Sequence, residues 1–377
     1  MNGYNQRLEK QRKYKLLGSI RFFLAFFVLI SHFPNNSMKL NTGVVSVICF
    51  YFISGYLMRK SYARFIINSS NPRIDFYIDR VIKLFPQYIV VVFITFFSIW
   101  YFGKSSVILL LNQDITLSKV LLNITLLPAN YVFYPLSIDA LTPHPIIPPA
   151  WSLSTEFHFY LLLPLIFALN KRFWILLLIT TLGIQFSSFF FASGVFNSNS
   201  FGYKYIFGVL TVFLYGFSFA EKTDVFYKWV AILIWLAFTL FLFVVAPAFD
   251  IGKNPRVQEI LFGGFIALPL GYYFTTVKIQ ENYKKIDNIL GDLAYPMFIT
   301  HFLSFYLVEK LLTIPVANRV VFYISSVTLC IIISFLLSLL QKKVEIYRIK
   351  RRGFSSLKAI KNGSLTVRPK LVSKDNK

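Results

Sequence analysis

The chain has little cysteine, little acid and little charge of either sign. Two cysteines among 377 residues, Cys49 and Cys330, leave no disulfide framework and no cysteine-built metal site. Both fall in apolar segments, where a thiol behaves as a small buried hydrophobe. Charged residues make up only 15% of the chain, whereas a soluble domain carries about a quarter. That shortage excludes an ordinary soluble domain. What replaces the charge is apolar: 56% of residues are hydrophobic, 19% are aromatic, and the mean hydropathy is +0.60. Asp and Glu number 16 against 39 Lys and Arg, a net charge of +23. Such a balance suits nucleic acid only if the cations form a recognition surface, and here they gather instead in loops and termini. No nucleic-acid partner is expected. The N-terminal segment is polar and basic, and the first apolar run lacks a small-residue cleavage site, so no cleavable signal peptide is expected.

Apolar runs near 20 residues recur along the chain, the length a helix needs to cross a bilayer. The run lengths suit helices rather than barrel strands. We read an all-α, polytopic helical bundle with ten spans, at about 17–33, 43–60, 80–101, 150–169, 172–192, 203–220, 229–249, 257–275, 289–309 and 318–341. With the N-terminus cytoplasmic, the inside segments and Arg21 hold 31 of the 39 Lys and Arg residues, and both termini are cytoplasmic. The organisation is then a basic N-terminus (1–16), a transmembrane domain (17–341) and a basic tail (342–377), read as a disordered segment held near anionic lipid. The longest outside segment, 102–149, is rich in proline, and a loop of that length is more often functional than incidental. Its apolar stretch 117–128 is too short to span and reads as re-entrant or interfacial. No repeat and no second soluble domain is visible.

Several polar residues sit where a bilayer makes them costly. Arg21 and His32 share the first span, eleven positions apart, or roughly 16 Å along a helix. Glu156 lies about one and a half turns inside the fourth span, at a depth similar to His32. A carboxylate there would fix the imidazole tautomer and stabilise the imidazolium formed on proton uptake. A helix cap or an interfacial hydrogen bond accounts for either residue singly. His158 falls on another helix face. Arg80 and Lys83 open the third span one turn apart, near the same boundary as Arg21. Together the three suit the phosphates of an anionic donor; alone, each would merely snorkel to the headgroups. Ser54–Gly55 is a small-residue notch that lets another helix or a ligand approach closely. A nucleophilic Ser54 has no base beside it in sequence. His301, beyond Pro296 in the ninth span, either lines the same cavity or is hydrogen-bonded between helices.

These segments together resemble the acyltransferase 3 family of integral membrane acyltransferases, over about residues 15–347. The marks are Arg21 and His32 in an Arg-x10-His pattern, Phe50–Tyr51–Phe52 with Ser54–Gly55–Tyr56, and Arg80, Lys83, Pro86 and Tyr88. Trp151–Ser152–Leu153 with Glu156, Phe159–Tyr160 and Pro164 follow, then Gly291, Tyr295 and His301, and last Val344–Glu345 with Arg348. Lys83 stands where an arginine is common, Ala294 where a serine is, and Phe298 where a tyrosine is.

The resemblance implies transfer of an acyl group, usually acetyl, from cytoplasmic acyl-CoA to a hydroxyl of a cell-surface polysaccharide or lipid-linked sugar, at the bacterial cytoplasmic membrane. The expected catalytic pair is His32 and Glu156, with Arg21, Arg80 and Lys83 on the CoA phosphates. Ser54, Trp151, Tyr160 and His301 are candidates for substrate or structural roles. Acetyl-CoA or another acyl-CoA is the expected donor, and no metal is expected. Whether His32 is a general base or carries the acyl group stays open at this level. The rival class is a transporter or flippase of a lipid-linked glycan, which would show broken spans or paired halves.

Overall fold

Residues 16–34, 39–133, 135–277, 280–312 and 318–361 are described by a computed structural model, with the side chains of 282 and 353–361 excepted. The predicted N-terminus, save residue 16, and the end of the predicted tail lie outside these. Among the described residues the regular structure is helical. Helices stand at all ten ranges read as spans: α1 Leu17–Ser31, α2 Thr42–Asn68, α3 Pro72–Phe102, α5 Ala150–Ala168, α6 Lys171–Ser188, α7 Ile206–Ala220, α8 Val225–Leu240, α9 Pro255–Thr276, α10 Glu281–Leu311 and α11 Arg319–Lys361. A short α4, Leu117–Ile124, occupies the apolar stretch of the long loop. Both cysteines are free and buried.

Six of these helices are long and apolar enough to cross a membrane: α2, α3, the stretch 200–220 that includes α7, α8 extended to Ala248, α9, and α11 as far as Arg352. Three of the other four, α1, α5 and α10, carry Arg21 and His32, Glu156, and His301. α1 is apolar but only 15 residues long, whereas in α5 and α10 the polar site residues dilute the apolar signal. Burial sorts the bundle. The apolar windows of α2 and the 200–220 stretch are 78% and 83% buried, those of α8 and α11 only 28% each. The first pair is therefore the centre, and the second pair is the apolar periphery that suits lipid.

The central crossing is made by two glycines. A Cβ on Gly55 of α2 would lie 2.0 Å from the Phe213 carbonyl, and one on Gly216 of α7 would lie 1.8 Å from the Phe52 carbonyl. The helices meet backbone to backbone, as the Ser54–Gly55 notch predicted.

Local chemistry sets the ends of the helices. The Asn41 side chain accepts from the N–H groups of Gly43 and Val44 and caps α2, while its own N–H donates to Glu259 on α9 at 2.9 Å. Gly103, at φ +81°, ends α3 in a conformation L side chains rarely adopt. Asp287 of α10 caps α1 in trans, accepting from the N–H groups of Gly18 (3.1 Å) and Ser19 (2.7 Å) and from the Ser19 hydroxyl (2.7 Å). An anion at a helix N-terminus meets unpaired N–H groups and the positive end of the dipole.

The tail is not a separate disordered segment from residue 342. α11 continues through it to Lys361. Arg348 and Arg352 bind Asp79, and Arg351 binds Asp75 at 3.1 Å. Arg352 is bidentate, with Nε at 2.7 Å and a terminal nitrogen at 2.9 Å from the Asp79 carboxylate. These charge-assisted bonds hold the basic extension against α3, which itself begins eight residues before the predicted span.

The loop 102–149 is packed rather than loose. Lys119 donates to Gln113 Oε1 (2.6 Å) and the Thr142 carbonyl (2.7 Å). Asn123 accepts from the Ile146 N–H at 2.9 Å, and Asn130 donates to Thr155 at 2.8 Å.

Candidate active site

A cavity of about 370 Å³ opens among α1, α2, α3, α5, α10 and α11. That volume is in the range of small-molecule sites. Arg21, Lys83, Lys342 and Arg348 line it, with Asp292 and Glu345 among them. Arg348 is committed to Glu345 (2.7 Å) and Asp79. Among the described residues, no carboxylate lies within salt-bridge distance of Arg21, Lys83 or Lys342.

Arg80 does not join them. It is 3% exposed, salt-bridged to Asp79, and directs another nitrogen to Met58 Sδ at 3.4 Å. Arg80, expected on the donor phosphates, is thus not brought into the cavity lining with Arg21 and Lys83. One turn of helix separates Arg80 from Lys83, and the two face different surroundings. Lys342 and Arg348 were missed as cavity residues because residues past 341 read as tail.

The cavity's other polar group combines α2 and α5. Ser54 Oγ donates to Glu156 Oε1 at 2.6 Å, and the Tyr160 hydroxyl donates to the same oxygen. All three line the cavity, as does Tyr51, one turn before Ser54. The Tyr51 hydroxyl is buried and has no hydrogen-bond partner among the described residues. Ser54 therefore has a base beside it, supplied by a helix about a hundred residues distant in sequence. Glu156 is held by Ser54 and Tyr160, not by His32, so the expected His32–Glu156 pair is replaced. Equal depth along two helices says nothing about their lateral separation, and counting residues from the helix ends fixes depth alone.

His32 faces His301 instead. Their ring centroids are 5.2 Å apart, and Phe302 packs on both rings, at 5.0 and 4.6 Å. The pairing follows from the Asp287 cap. α1 and α10 run parallel from that anchor, and His32 and His301 each lie fourteen residues beyond Gly18 and Asp287, ~21 Å along either helix. His32 Nδ1 lies 2.8 Å from the Val28 carbonyl and His301 Nδ1 lies 2.9 Å from that of Phe298. A carbonyl only accepts, so each Nδ1 carries the proton and each Nε2 keeps its lone pair. His301 is fully buried with Nε2 unpartnered among the described residues, whereas His32 is exposed. Neither histidine lines the cavity; Phe298 does, with its ring 6.3 Å from His301.

Trp151 also stands away from the cavity, packed on Tyr203 at 5.1 Å, with the Lys204 ammonium 5.7 Å from its ring. His158 is held by the Ser154 carbonyl (2.7 Å) and the Tyr131 hydroxyl (3.1 Å).

Apolar helices of membrane-crossing length surround a polar cavity, cationic at one end and carrying a carboxylate and hydroxyls further in, as in an integral membrane protein. The family model described as "Acyltransferase domain", acyltransferase 3, matches residues 17–339, and the chain belongs to that family of membrane acyltransferases. An uncharacterised protein of Aquifex aeolicus (strain VF5) is 30% identical over 219 residues, 53% of this chain and 88% of that protein. No solved structure matches.

Proposed function

We propose that the protein moves an acyl group, most simply acetyl, from cytoplasmic acyl-CoA to a hydroxyl of a cell-surface polysaccharide or lipid-linked sugar. The observation that carries this reading is the cavity: three cations without ion-pair partners among the described residues at one end, and Ser54, Glu156 and Tyr160 further in. Arg21, Lys83 and Lys342 receive the phosphates of CoA. The pantetheine arm follows the apolar wall formed by Leu57, Leu84 and Ala294 and delivers the thioester to the buried hydroxyls. In this reading all ten long helices cross a bacterial cytoplasmic membrane, with both termini inside, and the acceptor approaches beside the loop 102–149. His32, exposed and with Nδ1 bound to the Val28 carbonyl so that Nε2 is its basic nitrogen, takes the acceptor's proton. His301 receives or shares that proton, since it meets His32 through its ring.

The test is acyl-CoA consumption by purified protein in detergent with candidate acceptors, followed by the same assay in inside-out vesicles. Added acetyl-CoA should be consumed and acylated product should appear in the lumen. A transporter would consume no acyl-CoA in detergent. Product confined to the CoA-exposed side would overturn the proposed sidedness.

A further inference from the structure

We infer that Ser54 is a nucleophile that carries the acyl group, with Glu156 as its base, so that transfer runs through a seryl ester in two half-reactions. The inference rests on the acyl-CoA reading above. A serine hydroxyl at 2.6 Å from a carboxylate oxygen has its proton directed at a base. The Tyr160 hydroxyl binds the same oxygen and fixes the carboxylate. Independently, Tyr51 lines the same cavity, and its buried hydroxyl, beside the Thr155 side chain, makes no hydrogen bond of ordinary geometry among the described residues. An unused donor one helical turn from a nucleophile, on the same helix face, is placed for the oxyanion of a tetrahedral intermediate. The Gly55 and Gly216 crossing packs the backbone next to Ser54 directly against α7.

In the first half-reaction Glu156 takes the Ser54 proton as Oγ bonds to the thioester carbon. Tyr51 donates to the resulting oxyanion. The C–S bond then breaks and CoA leaves as thiolate, which needs no general acid because its pKa is about 8.5, and water later protonates it. Glu156 is left protonated beside the ester. In the second half the acceptor hydroxyl attacks the ester and its proton is relayed through water to His32, which lies beside the cavity and not in its lining. The C–Oγ bond breaks and Ser54 recovers the proton held by Glu156. His32 releases its proton to water, and both bases are restored. One thioester is consumed and one ester is formed.

The test uses the full-length protein in detergent with radiolabelled acetyl-CoA and no acceptor, quenched in acid. A burst of about one equivalent of CoA per protein is expected, with label on Ser54 as an ester stable to neutral hydroxylamine. Ser54→Ala should lose both burst and label. Ser54→Cys should carry the label as a hydroxylamine-labile thioester. Glu156→Gln should slow the burst about 10²- to 10⁴-fold, and Tyr51→Phe about 10²- to 10³-fold. His32→Ala should keep the burst yet retain the label when acceptor is added, a split that a purely structural Ser54 would not produce. Label on His32 would overturn the proposal, as would a folded Ser54→Ala protein turning over within about ten-fold of wild type. Acetyl transfer to acceptor with no labelled protein at any time would overturn it while leaving the acyl-CoA reading in place. Failure of the wild type to consume acetyl-CoA with any acceptor would remove that reading, and this one with it.

Discussion

Two polar groupings, one lining the cavity and one beside it, are built on opposite plans. Ser54, Glu156 and Tyr160 form a closed set in which both hydroxyls donate to one carboxylate oxygen and all three side chains face the cavity. His32 and His301 form an open set. Each ring is tied down through Nδ1, which leaves Nε2 as the basic nitrogen, and that of His301 has no partner among the described residues. The wall residue Phe298 stands between the cavity and His301. A carboxylate with two donors is poised to receive a proton from a specific hydroxyl. A histidine bound only through Nδ1 to a backbone carbonyl, at an exposed position, is suited to receive a proton from a visitor. In the proposed mechanism the first arrangement serves the donor and the second the acceptor.

The largest effect that would break this division is the loss of His32. His32→Ala should reduce transfer to acceptor by about 10²- to 10⁴-fold while leaving acyl-CoA affinity within error. Turnover assays paired with acyl-CoA titration check both parts. A parallel loss of donor affinity would place His32 in the cavity after all. His301→Phe keeps the apolar packing on Phe302 and Phe305 but removes the nitrogens. It should slow acceptor transfer by less than His32→Ala does, because His301 would act through its neighbour. A double substitution no slower than His32→Ala alone would show that the two act as one unit.

A second comparison sharpens the first. Arg80 and Lys83 are one turn apart on α3, yet Arg80 is paired with Asp79 and Lys83 faces the cavity. Lys83→Ala should weaken acyl-CoA binding by about 10- to 100-fold, the value of a charge-assisted phosphate contact of about 1.5–3 kcal/mol. Arg80→Ala should change that affinity less. It should instead lower the thermal stability of the detergent-solubilised protein, since it removes a partner from a buried carboxylate that also holds Arg348 and Arg352. Equal affinity losses in the two variants would restore Arg80 to the donor site.

The smallest expected effect is at Glu221, in the turn after α7. Burial acts to raise its carboxyl, but the Thr223 hydroxyl and N–H and the Arg59 guanidinium outweigh it and hold the group down to about 2. Since the folded value lies below the ordinary glutamate value of about 4.3, the stabilisation is complete above that pH and is lost as pH falls towards 2. The melting-temperature gap between wild type and Glu221→Gln should be constant above about pH 5 and shrink below it. A gap that is unchanged at acid pH would mean that packing of Arg59 on Phe217 and Tyr227, and not the ion pair, holds this turn.

The helical architecture was legible because apolar runs of bilayer length leave few alternatives, and the predicted ranges fall on helices throughout. Legibility failed where lateral position mattered. Arg21, Lys83, Ser54 and Glu156 were all visible as anomalies, because each is costly in an apolar run. Which of them meet depends on helix rotation and neighbour order, which a periodic pattern does not encode. Glu156 was therefore matched to the wrong partner, and Ser54 seemed to have none. Arg348 and Lys342 were hidden for a different reason. Charge-rich sequence after an apolar run looks alike whether it is solvated or, as here, paired with Asp75 and Asp79. One signal could have found them: the two aspartates in the opening turns of α3 are conspicuous in a chain so poor in acid.

The cap that Asp287 places on α1 turns the first helix into a ruler. From Gly18 outward the separation of Arg21 from His32, and of both from His301, is a matter of residue count rather than residue identity. Side chains on the lipid face of that stretch, such as Phe23 at 53% exposure, are free to vary. Its length is not. A single inserted residue between Ser19 and Ser31 would advance His32 by ~1.5 Å and swing it about a third of a turn around α1, away from His301, without touching either histidine. For this segment, heredity must guard the reading frame of a helix more closely than its spelling.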